Sequence, residues 1–390
     1  MTLSDKKLGM GRKITRREFI DGVAVVSAGS LLSGVGLSAS VQASETSNDY
    51  PPSLSGMRGN HPGSFEAAHQ AGREGRTSWG DAQSLDNEYY DLIVVGAGIS
   101  GLSAAHFYRQ KNPDAKILIL DNHDDFGGHA KRNEFKVGDQ TVLGYGGAQT
   151  LQEPNFYSDT VKQLLKDIGV DLDALASAYD QEFFKRHGLR SGIHFQQQHW
   201  GEDKVVPMDI GFFKGYVPFQ SSSLSMEQGV GQMPISDAAK KELLYLMTVS
   251  EDKIPDLSED AKWEFLYRIS YRDFLSQYVG IKEQEVFDVL EYGTIDLGQE
   301  LASQPALIAM NYGTMPGWGA TGLPMEELED GYREPYIHHF PDGNASIARL
   351  LVRQMIPEVA PGNTMADVVT APFDYSTLDN ADALVRVRLN

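Results

Sequence analysis

The sequence predicts an α/β protein, a Rossmann-like nucleotide-binding fold interrupted by a mostly helical insertion. Three observations carry that expectation. A glycine triplet, Gly96-x-Gly98-x-x-Gly101, sits between the β-rich run Leu92-Ile93-Val94-Val95 and a helical pattern from Ile99 to Gln110. A second β-rich run, Lys116 to Leu120, leads into Asp121, 20 residues after Gly101. From about residue 151 to 330 the pattern turns helical and aromatic before a last helix and a strand-like end.

In chain order, residues 1–44 read as an export signal. Lys6, Lys7, Arg12, Lys13, Arg16 and Arg17 form a basic head, and Thr15 to Ile20 carries the paired arginines. The weakly apolar run Gly22 to Leu37 follows, and Val41-Gln42-Ala43 offers small residues around a cleavage point. This is the layout of a twin-arginine signal. The run is too short and too rich in Gly and Ser for a membrane span of ~20 residues. The expectation is a passenger carried folded by the twin-arginine export machinery to the periplasm or another extracytoplasmic space. Residues 45–88, polar and rich in Gly, Ser, Pro and Asn, read as an irregular strap in which His61 to His69 starts a short helix.

Residues 89–150 read as the first part of the nucleotide-binding domain. Leu92 to Val95 is expected as a buried strand, and Pro113-Asp114 stops the helix that follows. Gly96 permits the tight turn, Gly98 lets the backbone approach a pyrophosphate, and Gly101 lets helix and strand pack closely. The N–H groups of Ile99, Ser100 and Gly101 then face the phosphates at the positive end of the helix. Asp121, with Asn122 beside it, is placed to accept from ribose hydroxyls, and its charge repels a 2′-phosphate. Two further glycine pairs follow, in Gly127-Gly128-His129 and Gly146-Gly147-Ala148. A nicotinamide dinucleotide does not need them. They fit an extended FAD whose pyrophosphate and ribityl chain run past several backbone segments.

Residues 151–335 read as a helical substrate or cap domain. Phe156 to Ile168 and Ala238 to Thr248 have helical periodicity, and Asp260 to Val279 reads as a long aromatic helix or helix pair. Residues 336–390 return to the nucleotide-binding domain, with a strand-like start before the helix in Phe340 to Met355 and a final strand from Ala383 to Leu389. The chain stops on that strand with no closing helix, cap or polar tail, which reads as a truncated chain.

Bulk composition narrows the chemistry. There is no cysteine, so disulfides, thiolate metal sites, Cys nucleophiles and cysteinyl-flavin links are excluded, as is haem held through a CxxCH motif. The formal charge is −20, and the segment through Ser44 is itself basic, so the exported remainder is more acidic still. That argues against nucleic acid and anionic lipid as partners. The ten histidines show no metal-binding spacing, so no metal ion is expected.

The glycine triplet, Asp121, the Gly127-Gly128-His129 segment and the Pro341-Asp342-Gly343-Asn344 segment resemble the amine oxidase-type FAD oxidoreductases. The likeness is most specific to the bacterial spermidine dehydrogenase group, on HPGSFEAAH, YDLIVVGAGISGLSAAHFYR, GGHAKRNEF and HHFPDGNASIARLLVR, and it runs from the signal to Asn390. The resemblance implies FAD, a return of Gly343 and Asn344 to the cofactor, and hydride removal from a carbon beside an amine nitrogen, with spermidine as the type of substrate. It also implies a b-type haem, for which His61 and His69 are the candidate axial ligands, and a periplasmic electron acceptor. His129 stands where the family has Arg, Asn344 replaces a second glycine, and the family's closing glycine-aspartate segment is absent. No catalytic residue can be named. Aromatic side chains such as Phe183, Phe184, Trp200 and Trp318, and acids such as Asp180, Glu182 and Glu202, are the kinds of group a polyamine site uses. A flavin desaturase, an alcohol oxidoreductase and a flavin-binding chain without turnover stay open, since fold does not fix substrate.

Overall fold

The structure is a computed structural model that describes residues 50–54, 65–81, 88–180, 182–208, 224–291, 293, 300–312, 315–324 and 338–389. The expected export signal and His61 lie outside these residues. In chain order the main elements are α1 (Glu66–Gly72), β1 (Leu92–Val95), α2 (Ile99–Lys111), β2 (Ile117–Asp121), β3 (Arg132–Val137), β4 (Gln140–Tyr145), α3 (Asp159–Asp167) and α4 (Leu172–Ser177). Next come β5 (Ile193–Phe195), β6 (Lys204–Val206), α5 (Met226–Gln232), α6 (Asp237–Thr248), α7 (Glu259–Arg268), α8 (Gln284–Glu291), α9 (Ala345–Met355) and β7 (Val385–Leu389). The described residues divide into two compact units, 50–178 with 338–389, and 179–324.

The first unit is Rossmann-like. Strands β1, β2 and β7 pair in parallel in that order, with Leu92 beside Ile117 and Ile117 beside Val385. Because alternate side chains share a face, Leu92, Val94, Ile117, Ile119, Val385 and Val387 line one side of the sheet. Leu102 and Ala105 of α2 and Ile347 and Leu351 of α9 join them in one buried cluster. Each large aliphatic side chain buried there stabilises by about 1.5–3 kcal/mol. The opposite face of β1 corrects the expectation of a buried strand. Ile93 is 55% and Val95 86% exposed. Among the described residues β1 is an edge strand, and only its Leu92/Val94 face is covered.

Helix α2 ends one residue beyond its expected limit, before Asn112 and the Pro113-Asp114 break. Helix α3 is shorter than the expected 156–168, because Pro154–Phe156 forms its own turn and Ser158 caps a new start. The strand-like start expected near Tyr336 is irregular over His338–Phe340, with the His338 carbonyl accepting from Leu151 N–H at 2.8 Å.

In the second unit the helices start as serine chemistry dictates. Ser225, Ser236 and Ser258 each accept, through the side chain, an N–H of the first turn of α5, α6 and α7. The aromatic stretch 260–279 resolves into two pieces. Helix α7 ends at Arg268, Ser270 caps a new turn by accepting from Asp273 N–H at 3.0 Å, and a π-helical turn follows over Leu275–Val279. The core gathers Leu243, Leu246, Leu266, Tyr271, Phe274 and Val286. A small antiparallel hairpin, β5–β6, was not expected.

Candidate functional site

The site begins at the turn between β1 and α2. Gly96, at φ +101°, reverses the chain in a conformation that side chains rarely adopt. Its N–H donates to the Leu120 carbonyl at 2.7 Å, and Gly98 forms the N-cap of α2 without a side-chain cap. The first helical bond runs from Leu102 N–H to the Gly98 carbonyl at 2.9 Å. The N–H groups of Ile99, Ser100 and Gly101 therefore have no acceptor within the helix and point out of its positive end.

Asp121 closes the turn from the end of β2. Its Oδ2 accepts from Ala97 N–H at 2.7 Å and its Oδ1 from His123 N–H at 3.0 Å. A carboxylate has about four acceptor positions, so both oxygens keep capacity for a sugar hydroxyl. The neighbouring Asn122 is exposed.

A second layer of backbone lies against the first. Gly98 and Gly127 form an isolated parallel bridge, and Gly127 N–H donates to the Ala97 carbonyl at 2.8 Å. The chain then passes through exposed His129 into β3, which pairs with β4 over a Gly138-Asp139 turn. That hairpin returns Gly146 and Gly147 beside the entry. Gly146 N–H donates to the Lys131 carbonyl at 2.8 Å and Gly147 N–H to the His129 carbonyl at 3.2 Å. The third segment arrives from far along the chain. Asn344 N–H donates to the Ala148 carbonyl at 2.9 Å, and Asn344 Nδ2 donates to the Thr150 carbonyl at 3.2 Å. The structure thus brings Gly96 to Gly101, Asp121, Gly127 to His129, Gly146 to Ala148 and Gly343 to Asn344 into one connected backbone framework.

The glycines divide into two kinds. A Cβ on Gly101 would lie 1.9 Å from the Gly96 carbonyl oxygen, one on Gly127 2.5 Å from that of Ala130, and one on Gly146 2.7 Å from that of Lys131. Those positions are glycine because the protein fills the space. Gly98 differs. Its φ of −71° suits any residue, and a Cβ there would meet nothing closer than Gly128 Cα at 3.8 Å. Gly147 has similar room, 3.6 Å from the His129 carbonyl oxygen. Neither protein packing nor backbone conformation demands glycine at these two places, whereas a cofactor lying against bare backbone does. The residues fit a dinucleotide whose phosphates meet the α2 terminus and whose length continues past Gly147.

Sequence reasoning missed the buried polar knot beneath this framework. Arg132 of β3 and Asp342 are 3% and 0% exposed, and Arg132 Nη1 donates to Asp342 Oδ2 at 2.9 Å. Arg132 also pairs with Glu134, which accepts from Tyr50 Oη at 2.8 Å. Tyr375 Oη donates to Asp125 Oδ1 at 2.6 Å, and burial, with Asp125 beside it, pushes the Tyr375 phenol well above its ordinary pKa. Arg349 is 2% exposed, stacks on the Phe373 ring at 3.7 Å and donates to the Val368 carbonyl at 3.2 Å. Burial, with Arg132 nearby, pulls its pKa down. Asp125, Lys131, Arg132, Arg349 and Tyr375 line a small pocket there. Arg132 opens a strand with polar neighbours, Asn133 and Glu134, so no local pattern set it apart.

The remaining candidates are scattered. His69 lies on α1, which buries none of its residues and so offers no apolar wall for a haem; its ring tilts on Phe65 at 4.9 Å. Among the described residues no group of three or more His, Cys, Asp or Glu is arranged to hold a metal ion. In the second unit, Trp200 packs on Phe195 and Trp318 on Trp263. Asp180 pairs with Arg186, Glu182 with Lys185 at 3.0 Å and Glu202 with Lys204 at 3.9 Å. These aromatics and acids already have partners among the described residues.

Residues 94–168 match the family described as the NAD(P)-binding Rossmann-like domain. That range covers the turn, Asp121 and both downstream glycine pairs. Among curated proteins, an FAD-dependent monooxygenase, resA of Aspergillus sclerotiorum, is 54% identical over 39 residues, 10% of this chain and 7% of that protein. Oxidoreductase PigB of a Serratia species is 32% identical over 82 residues, 21% of this chain and 11% of its own. Coproporphyrinogen III oxidase of Staphylococcus aureus is 30% identical over 95 residues, 24% and 18% respectively. The aligned segments thus span less than a fifth of each of these relatives. Putrescine oxidase bound to putrescine superposes with a TM-score of 0.30 and 16% identity over 68% of this chain and 49% of that one, too loosely to bear on function.

Proposed function

We propose that this chain is an exported FAD-dependent oxidoreductase that oxidises an amine, with a polyamine such as spermidine as substrate. The observation that carries the flavin reading is the pair of glycines, Gly98 and Gly147, that nothing in the protein requires. They lie on two successive layers of one backbone framework, so a ligand explaining both must extend beyond a nucleotide at the first turn. The FAD-linked names of several sequence relatives support the same cofactor.

FAD would supply the hydride acceptor. The protein's own part is to bind and orient it. The free N–H groups of Ile99, Ser100 and Gly101 meet pyrophosphate charge, Asp121 accepts from the ribose, and Gly98 and Gly147 let the chain of the cofactor lie close. The reading of the first 44 residues as a twin-arginine signal makes the site of action extracytoplasmic, and the electrons then pass to a periplasmic acceptor. The acidity of the chain suits a cationic amine substrate.

The test is the visible spectrum of the purified protein, followed by reduction of an artificial electron acceptor with spermidine, choline or a carotenoid-like compound. The two-banded spectrum of oxidised flavin and spermidine-dependent dye reduction are expected. A protein that never takes up flavin overturns the cofactor assignment, and turnover only with an alcohol or carotenoid overturns the amine. A Soret band would add the haem implied by the sequence resemblance.

A further inference from the structure

Arg132 and Asp342 stand 210 positions apart in sequence and meet at 2.9 Å with almost no exposure. Buried ion pairs add little net stability over apolar residues of the same size, but breaking one partner is severe, and such pairs fix orientation. Asp342 precedes Gly343, whose φ is +64° and whose missing Cβ would otherwise lie 2.6 Å from the Ala148 carbonyl oxygen and 2.9 Å from Tyr145 Cβ. The next residue, Asn344, makes the two bonds to Ala148 and Thr150 described above. Asp342 Oδ1 accepts from Ser346 Oγ at 2.6 Å, which fixes the same turn to the start of α9. On the other side, Arg132 directly follows Lys131, whose carbonyl holds Gly146. The contacts form a closed ring: His129 and Lys131 to Gly146 and Gly147, Ala148 to Asn344, and Asp342 back to Arg132.

We propose that the Arg132–Asp342 ion pair is a positioning element that sets where the Gly146–Ala148 segment lies and thereby shapes the far part of the cofactor crevice. Both side chains act through the backbone segments they anchor. The inference rests on the flavin reading for its ligand but not for its geometry.

The experiment has two arms on the full chain. In the first, hydrogen–deuterium exchange of the cofactor-free protein compares wild type with Asp342→Asn, Arg132→Lys and Arg132→Met. Faster exchange is expected over 143–151, with the 92–121 segment unchanged. In the second, FAD affinity is measured by flavin fluorescence quenching well below the unfolding temperature, so that only folded protein is counted. At least a tenfold weakening is expected for Asp342→Asn and Arg132→Met, with partial recovery in Arg132→Lys, which keeps the charge but loses the two-pronged donor. A purely structural pair would lower the melting temperature while leaving the affinity of the folded fraction and the local exchange as in wild type, and that result overturns the proposal. If Arg132→Met fails to fold, the near-isosteric Asp342→Asn decides. If wild type itself takes up no flavin, the cofactor assignment falls, and the exchange arm alone decides the positioning role.

Discussion

Ala97 N–H donates to Asp121 Oδ2 at 2.7 Å, so the glycine turn and the end of the second strand are one hydrogen-bonded unit. The carboxylate proposed to face the sugar also holds the turn proposed to face the phosphates. Asp121→Asn is therefore expected to affect both. A charge-assisted bond becomes a neutral one, and FAD affinity falls about tenfold, or about 1.4 kcal/mol. Titration of cofactor-free protein with FAD reads the loss directly, and an unchanged dissociation constant would sink the role given to this residue.

The two kinds of glycine give opposite results on substitution by alanine. Gly98→Ala is expected to leave the cofactor-free protein within about 1 kcal/mol of wild type, because the added methyl meets only ordinary contacts. Its flavin occupancy should nevertheless collapse. Gly101→Ala drives a methyl into the Gly96 carbonyl and should destabilise by at least ~3 kcal/mol, with or without cofactor. Denaturant melts of both variants, beside their flavin-to-protein absorbance ratios, decide the matter.

Leu102 is fully buried where α2 meets the sheet. Leu102→Ala is expected to lower the stability of the nucleotide-binding unit by about 2–5 kcal/mol. Chemical denaturation followed by far-UV circular dichroism measures it. A change under 1 kcal/mol would mean that α2 is held by something other than this contact.

Acid sensitivity should include a contribution from Asp252. The Lys262 ammonium beside it, together with Ile254 N–H, holds its carboxyl below the usual carboxylate range. The folded pKa is thus lower than the unfolded value of ~4. The contribution is fully present above that unfolded value and is lost as pH falls through the depressed folded value. Melting curves of wild type and Asp252→Asn should differ most above about pH 5 and converge on acidification. A constant gap at every pH would remove the pair from the account.

The local parts of this fold were legible because their signals are local. Leu92 to Val95, the glycine triplet and Asp121 lie within 30 residues, and strand, turn and helix each leave a period or a breaker in the sequence. The β3–β4 hairpin also carried a signal, the Gly138-Asp139 pair between alternating residues, which went unused. The exposure of Ile93 and Val95 could not be read. It depends on strand order, and the partner of β2 on its other side, β7, begins only at Val385. Arg132 and Asp342 left even less trace, since each looks like an ordinary surface charge until the chain folds 210 residues back on itself.

That last distance has a consequence for biosynthesis. Gly98 leaves the ribosome roughly 250 residues ahead of Asn344, an interval of roughly ten to fifty seconds at ordinary elongation speeds. Throughout it, β2 has β1 beside it but lacks β7, and the Gly146–Ala148 loop lacks its anchor from Asn344. A nascent polypeptide paused before Asp342 would present the first turn and both glycine pairs without the anchor that Asp342 and Asn344 supply. Closure of the crevice is then a late event, and slowing elongation over the stretch that leads into α9 should prolong the intermediate in which it is open.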